Sequence, residues 1–136
     1  MKKIFIILIG IGFLSYLGLY GYIYSTQDDK FKSRALTENY EIQFDNDFEE
    51  INFHSPNDGL INSLLFKSDS SQGVVCFWKG NGGTLERWGH LAPLFLELNY
   101  DVIITDYRQH GKSRGKITKD NFYSDCQTVY NFLNNK

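Results

Sequence analysis

The chain has 136 residues, 42% hydrophobic and 22% charged, with a formal charge of -2 at pH 7. That balance describes an ordinary globular composition and excludes the polycationic character of a nucleic-acid binder. Cys76 and Cys126 stand singly in apolar surroundings, without the paired spacing of a zinc site or redox motif, and read as small core residues.

After Lys2 and Lys3, the stretch Ile4 to Tyr24 runs twenty-one residues without a charge. As a helix it would extend about 31 Å, the thickness of a bilayer's hydrocarbon core. A secretory signal has a shorter apolar region and a small-residue cleavage site, whereas the exit here reads "YIYSTQDD". We therefore expect an uncleaved transmembrane anchor over residues 1–27. Tyr16, Tyr20, Tyr22 and Tyr24 crowd its far end as interfacial aromatics do, and the lysines mark the cytoplasmic side. The soluble part is then expected outside the cytoplasm.

Residues 28–38 are polar and aperiodic and read as a linker, followed by a domain over residues 39–136. "YEIQF" (Tyr40 to Phe44) alternates and suits a strand. "EEINFHS" and "LINSLLFKS" suit two antiparallel strands around the turn residues Pro56, Asn57, Asp58 and Gly59. "GVVCFW" (Gly73 to Trp78) is a continuous apolar run, the pattern of a strand buried on both faces. A glycine-rich loop follows. Next comes a helical stretch whose face is Trp88, Leu91, Ala92, Phe95 and Leu96, with Pro93 kinking it or opening a second segment. "YDVIITDY" is a second buried strand. The last helix carries Phe122, Cys126, Val129 and Leu133 as its stripe, with Thr118 as N-cap. The order, antiparallel hairpin then β-α-β-α, is the opening of an α/β sheet.

Gly111 to Gly115 spells G-x-S-x-G, the pattern of a serine-hydrolase nucleophile, and also ends a G-K-S phosphate-loop match. A nucleophile elbow needs a strand running directly into the first glycine and a helix starting at once. Here Tyr107, Arg108, Gln109 and His110 intervene before it, and Lys116 and Ile117 after it. All three histidines, His54, His90 and His110, precede Ser113, so no imidazole follows it in the chain order of an α/β-hydrolase triad. A phosphate-binding loop would need glycine where Asp106 stands. No cofactor and no metal is expected. His54 and His90 read as surface or helix histidines, and Asp106 with Arg108 as a pair bracing the loop.

Together "GVVCFWKGNGG", a helix, "YDVIITDYRQHGKSRG" and another helix resemble the amino-terminal half of an α/β-hydrolase, most closely its membrane-anchored esterase or peptidase-like members. Those typically read H-G-N-[AG]-G after the third strand and D-Y-R-G-x-G-x-S-x-G after the fourth. The resemblance covers about half the chain. It implies an amino-terminal part of an α/β-hydrolase sheet preceded by one transmembrane helix. Asn81, with Gly80, Gly82 and Gly83, becomes the candidate oxyanion hole, and Asp106, Arg108, Gly111 and Ser113 become structural loop residues. Lys79 stands for the family's usual histidine, removing a ring that orders the oxyanion loop, and Gln109 stands for a usual glycine.

The resemblance also places the nucleophile, acid and histidine after Lys136, and a fifth strand beside the third. The chain is thus expected to be a truncated serine hydrolase for ester, thioester or amide substrates, inactive as written, from a split or prematurely ended reading frame. Its expected partners are the membrane and a complementing carboxy-terminal hydrolase fragment, with no nucleic acid. A reading of another class is a non-catalytic membrane-anchored protein that binds a partner through its exposed strand edge or the Gly80 to Gly83 loop. A third keeps Ser113 as the nucleophile.

Overall fold

The computed structural model describes residues 2–31 and 33–135; Lys32 and the side chains of Asp28 and Asp29, which bear on membrane orientation, lie outside it. The chain divides into two compact units, Met1–Phe31 and Lys32–Lys136. In the first, α1 (Lys2–Lys30) is one continuous helix. Its segment Lys2–Gln27 has a mean hydropathy of 2.1 and no burial, so it is long and apolar enough to cross a membrane. A signal sequence satisfies the same criterion. Tyr16, Tyr20 and Tyr24, four residues apart, stack along one helix face with ring centroids 6.4 and 6.3 Å apart.

The second unit is built on a mixed four-stranded sheet. Its strands are β1 (Phe48–Ser55), β2 (Gly59–Phe66), β3 (Val74–Trp78) and β4 (Asp101–Thr105), in the order β1-β2-β4-β3. β1 and β2 form the expected hairpin, with Phe48 opposite Phe66 and Ser55 opposite Gly59. In its turn Asn57 and Asp58 take left-handed backbone, φ 57° and 54°, a conformation these short polar residues tolerate. β4 runs antiparallel to β2 and parallel to β3, with Ile103 opposite both Leu65 and Cys76.

Side chains alternate across β2 and β4 and feed two cores. On one face Leu64, Phe66, Val102 and Ile104 pack with Ile42, Leu85 and Ala92. On the other Ile61, Leu65 and Ile103 pack with Phe53 and Val129. The first face is covered by α2 (Leu85–Trp88), a 3-10 turn (Gly89–Leu91) and α3 (Ala92–Leu96). The break in this helical stretch falls just before Pro93, in the first turn of α3, where a missing N–H costs no helix bond. The second face is covered by α4 (Lys119–Asn134), whose N-cap Thr118 accepts from the Asn121 N–H at 3.1 Å.

Four expectations are corrected. Residues 40–44 form no strand: Ile42 and Phe44 alternate inward, but they pack on the α2–α3 side, with Phe44 against Phe48, Phe66 and His90, and no ladder partner is needed. β3 is not buried on both faces. Among the described residues it pairs with β4 alone, Val74 is 41% exposed and Cys76 is exposed, so Cys76 is not a core residue. Cys126 is only half-buried. The buried stripe of α4 is Asn121, Asp125 and Val129, with Phe132 and Leu133 packed beside it, because Asn121 and Asp125 are drawn inward by polar partners that a hydropathy pattern does not register.

Candidate functional site

Two loops leave the carboxyl ends of the parallel strands β3 and β4 side by side: residues 79–84 before α2 and residues 106–118 before α4. Loops at this end of parallel strands are where α/β folds bind ligands.

The first loop turns on its glycines. Gly82 and Gly83 have φ of +86° and +73°, and a Cβ on Gly80 would lie 2.7 Å from the Trp88 ring, so the loop is wrapped tightly on that indole. The Trp88 indole N–H donates to the Gly82 carbonyl at 2.9 Å, and the Ser33 hydroxyl donates to that of Gly83 at 2.7 Å. Asn81 is exposed at the tip. The Lys79 side chain is fully buried beneath the loop. Its Nζ donates to Gly83 O at 3.0 Å, meets His110 Nδ1 at 2.8 Å and pairs with Asp106 Oδ1 at 3.2 Å. Burial lowers its pKa from 10.5 to about 8. Lys79, at the position where the resembled family has a histidine, thus bonds the glycine loop and faces the loop after β4.

The second loop is anchored on several sides. Asp106 and Arg108 do not pair with each other. Asp106 is 1% exposed and faces Lys79, while its backbone N–H donates to Asn62 O at 3.0 Å. Arg108, equally buried, reaches the other way. Its Nε donates to Asp125 Oδ2 at 2.9 Å and its Nη2 to Asp125 Oδ1 at 2.7 Å, and it also donates to Pro56 O and Asn57 O in the hairpin turn. Gly59 lies flat against this guanidinium, with no room for a Cβ. Gly111 has φ +52°, and a side chain there would collide with the Asp106 carboxylate. Gln109 takes φ +64° without being glycine, and its buried Oε1 has no hydrogen-bond partner.

Ser113 is fully buried, and its Oγ accepts the Asn62 N–H at 2.8 Å. Enclosed in this way, it cannot meet an acyl carbon. His110 is also fully buried, its ring edge-on to Tyr107 at 5.6 Å. His54 and His90 are exposed. Ser33 and Leu36, in the stretch read as a linker, are tied to the two loops: Leu36 N donates to Gly111 O at 2.8 Å. Among the described residues no group of three or more His, Cys, Asp or Glu side chains is placed to hold a metal ion.

Sequence reasoning missed Lys79 as a buried cation, Asn62 as the partner of Ser113, and Asp125 as the partner of Arg108. The last was within reach, since Asn121, Asp125 and Val129 share one face at four-residue spacing.

No known family profile matches the chain. Over 45 residues, 32% of this chain and 15% of the other, it is 47% identical to the uncharacterized protein YqkD of Bacillus subtilis. Among solved structures it is similar in fold to the Pyrococcus furiosus esterase Pf2001, with a TM-score of 0.57 and 18% identity, over 77% of this chain and 43% of the esterase. It is also similar to an alpha-beta hydrolase from Vibrio vulnificus, with a TM-score of 0.54 and 17% identity, over 63% of this chain and 29% of that one. The fold is thus an α/β fold of the α/β-hydrolase kind, and the chain spans less than half the length of the proteins it matches.

Proposed function

We propose that these residues form the amino-terminal portion of a membrane-anchored serine hydrolase that cleaves esters, thioesters or amides. In this reading they supply the scaffold and the oxyanion loop, while nucleophile, acid and histidine come from polypeptide outside the 136 residues. The observation that carries it is the sheet order β1-β2-β4-β3, which leaves β3 with a single partner strand and puts the glycine loop directly at its carboxyl end. A backbone N–H near Asn81 would then stabilise the tetrahedral oxyanion, and the glycines around it allow close approach of an acyl oxygen. α1 would serve as the anchor, its length matching a bilayer. The enclosed Ser113 supports a nucleophile elsewhere.

A fluorophosphonate probe applied to membranes carrying the chain, followed by peptide mapping, tests the proposal. The labelled serine is expected on a polypeptide that continues from or copurifies with this chain. Label on Ser113, or on nothing that accompanies the chain, would refute it.

The exposed edge of β3 favours one other reading, a non-catalytic protein that accepts a partner's strand there. Indifference of the purified chain to added strand peptides would remove its basis.

A further inference from the structure

The loop that would carry the oxyanion donor is only as well aimed as its backbone is fixed, and beside Trp88 and Ser33 one buried charged side chain bonds its carbonyls. Four polar atoms surround the Lys79 Nζ. From its own loop come Gly83 O at 3.0 Å and Gly80 O at 3.4 Å; from the loop after β4 come His110 Nδ1 at 2.8 Å and Asp106 Oδ1 at 3.2 Å. The Tyr107 ring, its centroid 5.9 Å from Nζ, adds an aromatic face. The titratable groups facing Lys79 are thus Asp106, Tyr107 and His110, all from the loop after β4.

An ammonium has three donors and no acceptor. Facing one, His110 Nδ1 must accept, so the neutral ring carries its proton on Nε2. A proton on both nitrogens would set two cations 2.8 Å apart in a buried site against one carboxylate.

We propose that Lys79 is a positioning residue of the Gly80 to Gly83 loop: its buried ammonium, hydrogen-bonded to the carbonyls of Gly80 and Gly83 and to His110 and ion-paired with Asp106, ties the two loops together and selects the Nε2–H tautomer of His110. Its importance for catalysis rests on the oxyanion reading above, but the tie itself is a property of two loops and is measured without any substrate. Where the resembled family would use a neutral ring, this chain uses a cation, and the tie therefore depends on a proton. A neutral amine keeps two N–H donors and gains a lone pair. Once deprotonated, Lys79 can serve two of its acceptors at most, and the contact with His110 can reverse, the ring donating from Nδ1. Burial sets that change at a pH of about 8.

Two side chains report it in the ¹⁵N-labelled full chain held in detergent micelles. The ring nitrogens of His110 give the tautomer, and the Trp88 indole N–H, bonded to Gly82 O at 2.9 Å, gives the state of the loop. At pH 6.5–7 the Nε2–H form is expected, with both signals moving together through a midpoint within about a unit of pH 8. Lys79→Met is expected to mix the tautomers and abolish the shared midpoint, and Lys79→Arg to hold the Nε2–H form to pH 10. An Nδ1–H ring or an imidazolium at pH 7 in the unaltered chain would overturn the proposal, as would the same transition surviving in Lys79→Met. If Lys79→Met does not fold, the titration of the unaltered chain decides alone. None of these outcomes bears on fluorophosphonate labelling, so failure of the tie and failure of the hydrolase reading are separate results.

Discussion

Arg108 and Asp125 meet as a two-point pair, Nη2 to Oδ1 at 2.7 Å and Nε to Oδ2 at 2.9 Å, seventeen residues apart in sequence and both almost fully buried. The pair joins the loop after β4 to α4, and the remaining guanidinium donors reach Pro56 O and Asn57 O, so three segments converge on one charge. Asp125→Ala would leave that charge with neutral acceptors only. Removing one member of a buried pair costs about 3–5 kcal/mol. Urea denaturation of the full chain in micelles, followed by tryptophan fluorescence, should show a loss of that size, and a loss below about 1 kcal/mol would mean that Pro56 and Asn57 suffice.

Gln109 is a second point of tension in the same loop. Its φ of +64° is a conformation that costs a non-glycine residue about 1–2 kcal/mol, and its buried Oε1 is unpartnered. Gln109→Ala removes the orphan oxygen and keeps the strained backbone; Gln109→Gly relieves both, less the entropy that glycine adds to the unfolded chain. Gln109→Gly is expected to be the more stable of the two by about 0.5–1 kcal/mol, and more stable than the unaltered chain. Equal urea midpoints for the two variants would show that the backbone term is negligible.

What the sequence disclosed follows from which contacts leave an apolar trace. β4 was legible because Val102, Ile103 and Ile104 are buried on both faces of the sheet. The hairpin was legible because its turn needs residues that tolerate left-handed backbone. β3 has the same apolar run as a two-sided strand, and nothing in Val74 to Trp78 tells whether a neighbour lies on each side. The α4 stripe was misread because Asn121, bonded to Lys116 O, and Asp125, bonded to Arg108, are buried by polar partners. Asp106 and Arg108 read as one pair bracing the loop, yet Asp106 faces Lys79 at the end of β3 and Arg108 faces Asp125 on α4, partners that lie far from both in sequence. Lys79 left no trace at all, since a lysine between a strand and a glycine loop is ordinarily a surface residue.

Ser113 illustrates how a motif match can serve packing. Its Oγ is the acceptor for the Asn62 N–H, a backbone donor buried at the end of the sheet. Ser113→Ala orphans that donor, at a cost of about 1–3 kcal/mol. The urea midpoint should fall accordingly while, on the hydrolase reading proposed above, fluorophosphonate labelling of the polypeptide that supplies the nucleophile, scaled to the folded fraction, stays unchanged. A stability change near zero combined with lost label would assign the hydroxyl to chemistry instead.

The buried ammonium of Lys79 makes a prediction about global stability whose sign is opposite to its effect on the loop. Its pKa is 10.5 in the unfolded chain and about 8 when folded. Between those values the unfolded chain holds a proton that the folded chain has lost, so unfolding binds protons and stability rises with pH. The full span corresponds to at most about 3 kcal/mol, with the gain absent below pH 8 and complete above about 10.5. Ionisable groups that do not touch Lys79 cancel in the difference between the unaltered chain and Lys79→Met. That difference, from urea denaturation at pH 7, 8, 9 and 10, should move in favour of the unaltered chain as pH rises. A flat or falling difference would mean that Asp106, at 3.2 Å, compensates the burial in full and that Lys79 keeps its proton across the range.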